Sequence, residues 1–256
     1  MPTRVDTTSE AMARVAAARL ASVIEANRAD TAVPACPGLD LAQLGYHVAS
    51  AVHFWSQMAS GVAPGVESSL ERPADEDVAA WIRPALDRAL GELYGADPAA
   101  PMVFSLTDDL TAGFAQRRIA HELTVHAWDA ASAVRADTSI DPSAAVDGVD
   151  EYLEVWMGGA FGDRSGETQT VHLHATDLGG TPVDGLGEWH VTVGDDELAV
   201  THEHAKGDIA VRGRAQDLLL LLWGLVAVDA PDPGAPDLEV FGDPSELARF
   251  VARVGA

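Results

Sequence analysis

The spacing of apolar residues changes period partway along the chain, and this limits the fold more than any other feature. Met12, Val15, Ala16, Leu20, Val23 and Ile24 recur at helical spacing behind a Thr/Ser cluster at 7–9 able to cap a helix. After a Pro/Gly loop around 34–38, Asp40 is placed to cap a second helix reaching about Ser60. A third pattern runs from about Ala74 to Leu93, with Pro84 as an expected kink or break, and a fourth from roughly Thr111 to Val134. A shorter fifth, "PSAAVDGVDEYLEVWM", stops at Gly158-Gly159. The stretch "GGAFGDRSGET" (158–168) reads as a linker. Beyond it "TVHLHATD" and "WHVTVGDDELAVTHEH" alternate as strands do, the second forming a hairpin about Gly-Asp-Asp. "IAVRG" and "LEVFGD" are further strands; "AQDLLLLLWGLV" and "PSELARFVARV" are helices, the last with Pro in its first turn. The pattern predicts an α+β protein: a helical bundle, residues 1–162, and a small α/β sheet domain, residues 163–256.

Charge narrows the partners. Forty acidic residues against 16 basic ones give a net charge of −24, a surface that repels phosphate backbones and anionic lipid. No nucleic acid and no membrane partner is expected. The longest apolar run, Leu218 to Val228, is too short to span a bilayer, and no signal core opens the chain, so a cytoplasmic protein is expected. The single cysteine, Cys36, lies between two prolines with no basic neighbour to lower its pKa, and reads as structural.

Chemistry concentrates in "RRIAHELTVHAWDA", residues 117–130. Ile119, Leu123, Ala127, Ala130 and Val134 mark an inward face, and Glu122 and His126 interrupt it four residues apart, on nearly the same side of a helix. Burying a carboxylate costs several kcal/mol or more unless it is repaid. Either Glu122 pairs with Arg118, one turn away, and His126 is a satisfied core histidine, or the two bind a metal with a third ligand from elsewhere. The second helix offers that ligand. His47 sits within the stripe Leu41, Leu44, Val48, Ala51, Val52 and Trp55, whereas His53 falls on the polar side with Tyr46, Ser50 and Gln57. Two histidines and a carboxylate form an open, catalytic-type site for zinc or another divalent ion. His121 is turned away, and the HExxxH spacing is not that of zinc proteases.

"VPACPGLDLAQLGYHVASAVHFW", "RRIAHELTVHAWDA", "AAVDGVDEYLEVW" and "VHLHATD", followed by "LLLLLWG" and "LEVFGD", together resemble the mycothiol-dependent maleylpyruvate isomerase family. The resemblance covers nearly the whole chain. It implies a DinB-like four-helix bundle, a C-terminal α/β (SCP2-like) domain, and a divalent metal, usually zinc, on His47, Glu122 and His126. It also implies mycothiol as the thiol cofactor. A metal-activated thiolate adds to a small electrophile, transiently in an isomerase and permanently in a thiol S-transferase.

Two departures bear on substrate. Leu39 stands where many relatives have tryptophan, and Leu225, after "LWG", stands where many carry an arginine proposed to bind the substrate's carboxylates. Arg118, Arg212 and Arg214 are the candidate replacements. His172, His174, His190, His202 and His204 fall on expected strands of the second domain, a scatter able to bind metal adventitiously but read as surface or interdomain packing. Two alternatives stay open: a non-catalytic metal-binding module that keeps the bundle, and a metal-dependent hydrolase. A monomer or homodimer is expected.

Overall fold

The computed structural model describes residues 7–157, 165–178, 186–194, 197–226 and 237–254. The chain divides into two compact units between residues 139 and 140.

The first unit holds four helices: α1 (Thr7–Ala26), α2 (Leu41–Ala59), α3 (Val78–Gly95) and α4 (Ala112–Ala133). α1 packs on α3 and α4, and α2 packs on the same two. The buried side of α1 is Ala13, Ala16, Ala17, Leu20, Ala21 and Ile24, whereas Val15, expected in that stripe, is 70% exposed. α2 starts where the sequence says. The Asp40 carboxylate accepts from the Gln43 amide at 2.8 Å, and the Gln43 side chain accepts from the Asp40 amide at 2.9 Å, a reciprocal cap. Gly45 lets α1 approach, since a Cβ there would lie 2.8 Å from Ile24 Cδ1.

Pro84 does not break α3. An interior proline costs about 3 kcal/mol. Burying Ile82, Leu86, Leu90 and Leu93 on one face stabilises the continuous helix by about 1.5–3 kcal/mol each, which outweighs it.

The second unit contains α5 (Pro142–Glu151), extended by a π-turn at Tyr152–Trp156, then β1 (Gln169–Ala175), β2 (Glu188–Gly194), β3 (Glu197–Thr201), β4 (Ile209–Gly213), α6 (Ala215–Leu222), β5 (Leu238–Phe241) and α7 (Pro244–Val254). The fold is therefore α+β, a helical region followed by a mixed sheet with helices. The fifth helix, expected in the bundle, packs instead on α6. Trp189 Nε1 donates to Asp150 at 2.5 Å, and the Tyr152 and Trp223 rings lie 6.0 Å apart. Helical periodicity reports a buried stripe but not what covers it. Most of the expected linker, residues 158–164, lies outside the described residues.

The sheet order is β3-β2-β1-β4-β5; β1 and β4 run parallel and the other neighbours antiparallel. β2 and β3 pair up to Gly194 opposite Glu197, as a hairpin about Asp195-Asp196 requires, although those two residues lie outside the described set. Val171, Leu173, Trp189, Val191, Val193, Ile209 and Val211 are wholly buried on one face. α6 packs between α5 and strands β1 and β4, which explains its five consecutive buried leucines, Leu218–Leu222. No helix among the described residues is long and apolar enough to cross a membrane. The opposite face carries His172 and His174 of β1, with Glu188 and His190 in register beside them on β2.

Candidate metal centre in the helical unit

Packing of α2 on α4 brings His47 and His126 together, with ring centroids 5.5 Å apart and planes at 88°. Glu122, one turn before His126, accepts from Arg118 Nε at 3.1 Å. The structure thus combines both readings of the sequence: the carboxylate has its arginine, and the two imidazoles still meet.

Burial differs from the expectation. α4 is enclosed over most of its circumference, and its most deeply buried polar side chains are Arg118, His121 and Asp129, at 2%, 0% and 1% exposure. Glu122 and His126 lie on a strip that partly reaches solvent, their side chains 20% and 17% exposed. His47, expected to be the inward histidine of α2, is exposed, whereas His53 is half-buried, because the faces of α2 covered by α3 and α4 are those of Leu41, Leu44, Val48 and Val52. Partial desolvation of the His47 ring nevertheless lowers its pKa; nearby His126 adds to this and Glu122 opposes it. His47 is therefore a neutral imidazole at neutral pH, the form that binds metal. His53 holds the loop after α2, its Nε2 lying 3.2 Å from the Ser68 carbonyl.

Asp129 was missed. It lies three residues after His126, and its Oδ2 accepts from His126 Nδ1 at 2.9 Å. That bond orients the ring and leaves Nε2 for another partner, the usual carboxylate support of a metal-binding histidine. Cys36 Sγ reaches the same oxygen at 3.4 Å, while Asp129 Oδ1 is buried without a hydrogen bond. Burial first, then the charge and hydrogen bond of Asp129, push the Cys36 thiol up to about 12, so it stays protonated and is no nucleophile. The i,i+3 spacing of His126 and Asp129 is the signal the sequence carries for this contact, but Asp129 lies outside the apolar stripe that marks the expected inward face.

His47 and His126 fit a divalent ion by their chemistry: two imidazoles sharing one ion at about 2.0–2.1 Å have centroids about 5 Å apart, close to the observed separation. Glu122 lies one turn before His126 but is held by Arg118, and it does not join the two histidines as a set with donor atoms within 4.8 Å of one another among the described residues. Cys36, His126 and Asp129 have donor atoms mutually within 4.8 Å. In that set the Cys36 thiol and the His126 ring both point at Asp129 Oδ2, at 3.4 and 2.9 Å.

The three arginines considered for substrate are engaged with carboxylates. Arg118 is buried against Glu122. Arg212 and Arg214, in the other unit, are about half exposed; Arg212 lies 3.6 Å from Glu239, and Arg214 forks onto Asp217 at 2.8 and 3.1 Å. Leu225 is half-buried just beyond α6.

No curated protein and no solved structure matches the chain. Residues 11–131, from α1 almost to the end of α4, match the family model described as the mycothiol maleylpyruvate isomerase N-terminal domain. That match falls within the helical unit, which carries the facing histidines of α2 and α4, and it is to the mycothiol maleylpyruvate isomerase N-terminal domain that this part of the chain is similar.

Proposed function

We propose that the chain is a divalent-metal enzyme, zinc being the first candidate, that adds mycothiol to a small electrophile in the cytoplasm. It acts either as an isomerase of the maleylpyruvate type or as a thiol S-transferase. The observation that carries this reading is the meeting of His47 and His126 across two helices, with Asp129 behind His126, inside the unit that matches the family. His47, Glu122 and His126 would hold the ion. A divalent ion there supplies the charge that turns a thiol, ordinarily titrating near pH 8.5, into a thiolate at neutral pH.

The chain's own residues prepare that step. Asp129 fixes the His126 ring, Arg118 fixes the Glu122 carboxylate, and desolvation keeps His47 uncharged. The partly open strip of α4 gives a thiol room to approach. The thiolate sulfur forms a bond to one alkene carbon of the electrophile, and the π electrons move onto the activated neighbour. The resulting single bond rotates. Expulsion of the thiolate then gives the trans product, whereas protonation at carbon leaves a stable thioether.

The test is turnover of maleylpyruvate by purified full-length protein, with and without mycothiol and after chelation. Product formation that needs both metal and thiol is expected. Metal-dependent turnover without thiol would establish the hydrolase instead, and a chain that binds metal without turning over any electrophile would establish a binding module.

A further inference from the structure

The sheet unit gathers a second set of donor side chains. β1 alternates, so His172 and His174 project from one face, and the β1–β2 register sets Glu188 opposite His174. His172 Nε2 lies 2.5 Å from Glu188 Oε2, and His174 Nδ1 lies 2.5 Å from Glu188 Oε1. His204, from the segment after β3, brings its Nδ1 to 3.2 Å from Glu188 Oε1. The rings of His172 and His204 meet edge to face with centroids 4.6 Å apart. One donor atom from each of these four residues lies within 4.8 Å of every other. Three of the five histidines expected to be surface or interdomain packing, His172, His174 and His204, are therefore collected around one carboxylate, which alternation along a single strand could not reveal.

The setting suits a cation. His172 and Glu188 are 6% and 4% exposed even though they stand on the polar face, because the segment carrying His204 covers them. Gly207 permits that approach: a Cβ there would come within 2.8 Å of the Thr170 carbonyl and 3.0 Å of the His172 amide. His204 itself is 76% exposed, so one side of the cluster opens to solvent. The neighbouring cation on this face, Arg212, lies against Glu239, and His190 completes the row on β2. Three imidazoles and one carboxylate are a donor set for zinc, or for nickel or copper. In a tetrahedral site with bonds of about 2.0–2.2 Å, ligand atoms stand about 3.3 Å apart, so the observed nitrogens need move by less than about 1 Å.

We propose that His172, His174, Glu188 and His204 form a divalent-metal site of the sheet unit, separate from the helical one, that clips the segment after β3 onto the sheet. On metal binding each ligating nitrogen loses to solvent the proton that faces Glu188, and the other ring nitrogen carries the one proton of the neutral imidazole.

The test uses full-length protein in which His47→Ala and His126→Ala remove the helical unit's candidate ligands. After dialysis against zinc and then metal-free buffer, about one zinc per chain should remain, and His174→Ala or His204→Ala added to that background should reduce it to about none. His204 is exposed, so its replacement leaves the fold intact. Nitrogen-15 spectra of the unsubstituted chain titrated with zinc give a second readout, with shifts expected at His172 Nε2, His174 Nδ1 and His204 Nδ1. No retained zinc in the starting background, retention undiminished by both added substitutions, or shifts at His190 and His202 in place of the named nitrogens would each overturn the proposal.

Discussion

The helical and sheet units each bring histidines to a carboxylate, but by different geometries. In the helical unit the cluster is built along one helix, Arg118, Glu122, His126 and Asp129, and needs one partner, His47, from a neighbour. In the sheet unit no two members of the cluster are closer in sequence than His172 and His174, and the carboxylate arrives from the next strand. A helix stacks side chains three and four residues apart, so it assembles most of a site from local sequence. A sheet assembles one only through register. The helical cluster is consequently the one with local supports, a buried Asp129 behind His126 and a buried Arg118 behind the Glu122 carboxylate.

The strongest challenge to that contrast is His126→Ala. If the helical cluster is the seat of the chemistry, this change should take thiol-dependent turnover to background and remove one metal, while the sheet cluster keeps its own; metal analysis and the maleylpyruvate assay read both. Normal turnover in that variant would move the active centre elsewhere.

Leu225→Arg asks what the sheet unit contributes. Maleylpyruvate is a dianion, and a chain of net charge −24 repels it unless a local cation intervenes. A desolvated guanidinium–carboxylate contact is worth about 2–5 kcal/mol, so the substitution should raise turnover of this substrate by about 30-fold or more. Fast turnover by the unsubstituted chain, with no gain from arginine, would show that Leu225 is no handicap.

Asp129→Asn removes the charge behind His126 but keeps an oxygen that can accept from Nδ1. The expected outcome is a loss of about 10- to 100-fold in metal affinity at the helical site, measured by competition with a chelating dye. Unchanged affinity would reduce Asp129 to a packing residue.

The smallest effect concerns Cys36. Its pKa is raised on folding to about 12, so its contribution to stability is fully present below the unfolded value near 8.5–9 and is lost as pH rises towards 12. Native protein at pH 8.5 should react with iodoacetamide on the order of a hundredfold more slowly than the unfolded chain. Equal rates would mean that Asp129 does not hold the thiol.

Much of the helical unit was legible because its signals are local. The Asp40 cap, the Thr111 start of α4 and the i,i+4 pairing of Arg118 with Glu122 depend on residues within one or two turns of each other. The strands were legible for the same reason, since alternation is a property of a single segment. The allotment of α5 was not: its apolar stripe suits a bundle or a sheet equally well, and only packing on α6 decides. Pro84 was weighed by its own penalty, while the burial that outweighs it comes from other helices.

By itself, then, the sequence determined where elements begin, which face of most of them is apolar, and that Glu122 and His126 share one side of α4. Tertiary structure decided which polar groups are buried, that Asp129 lies against His126, and that two histidines of β1 and one from the segment after β3 surround Glu188. Periodicity is fixed by the backbone of one segment, whereas exposure and convergence depend on what another segment lays against it.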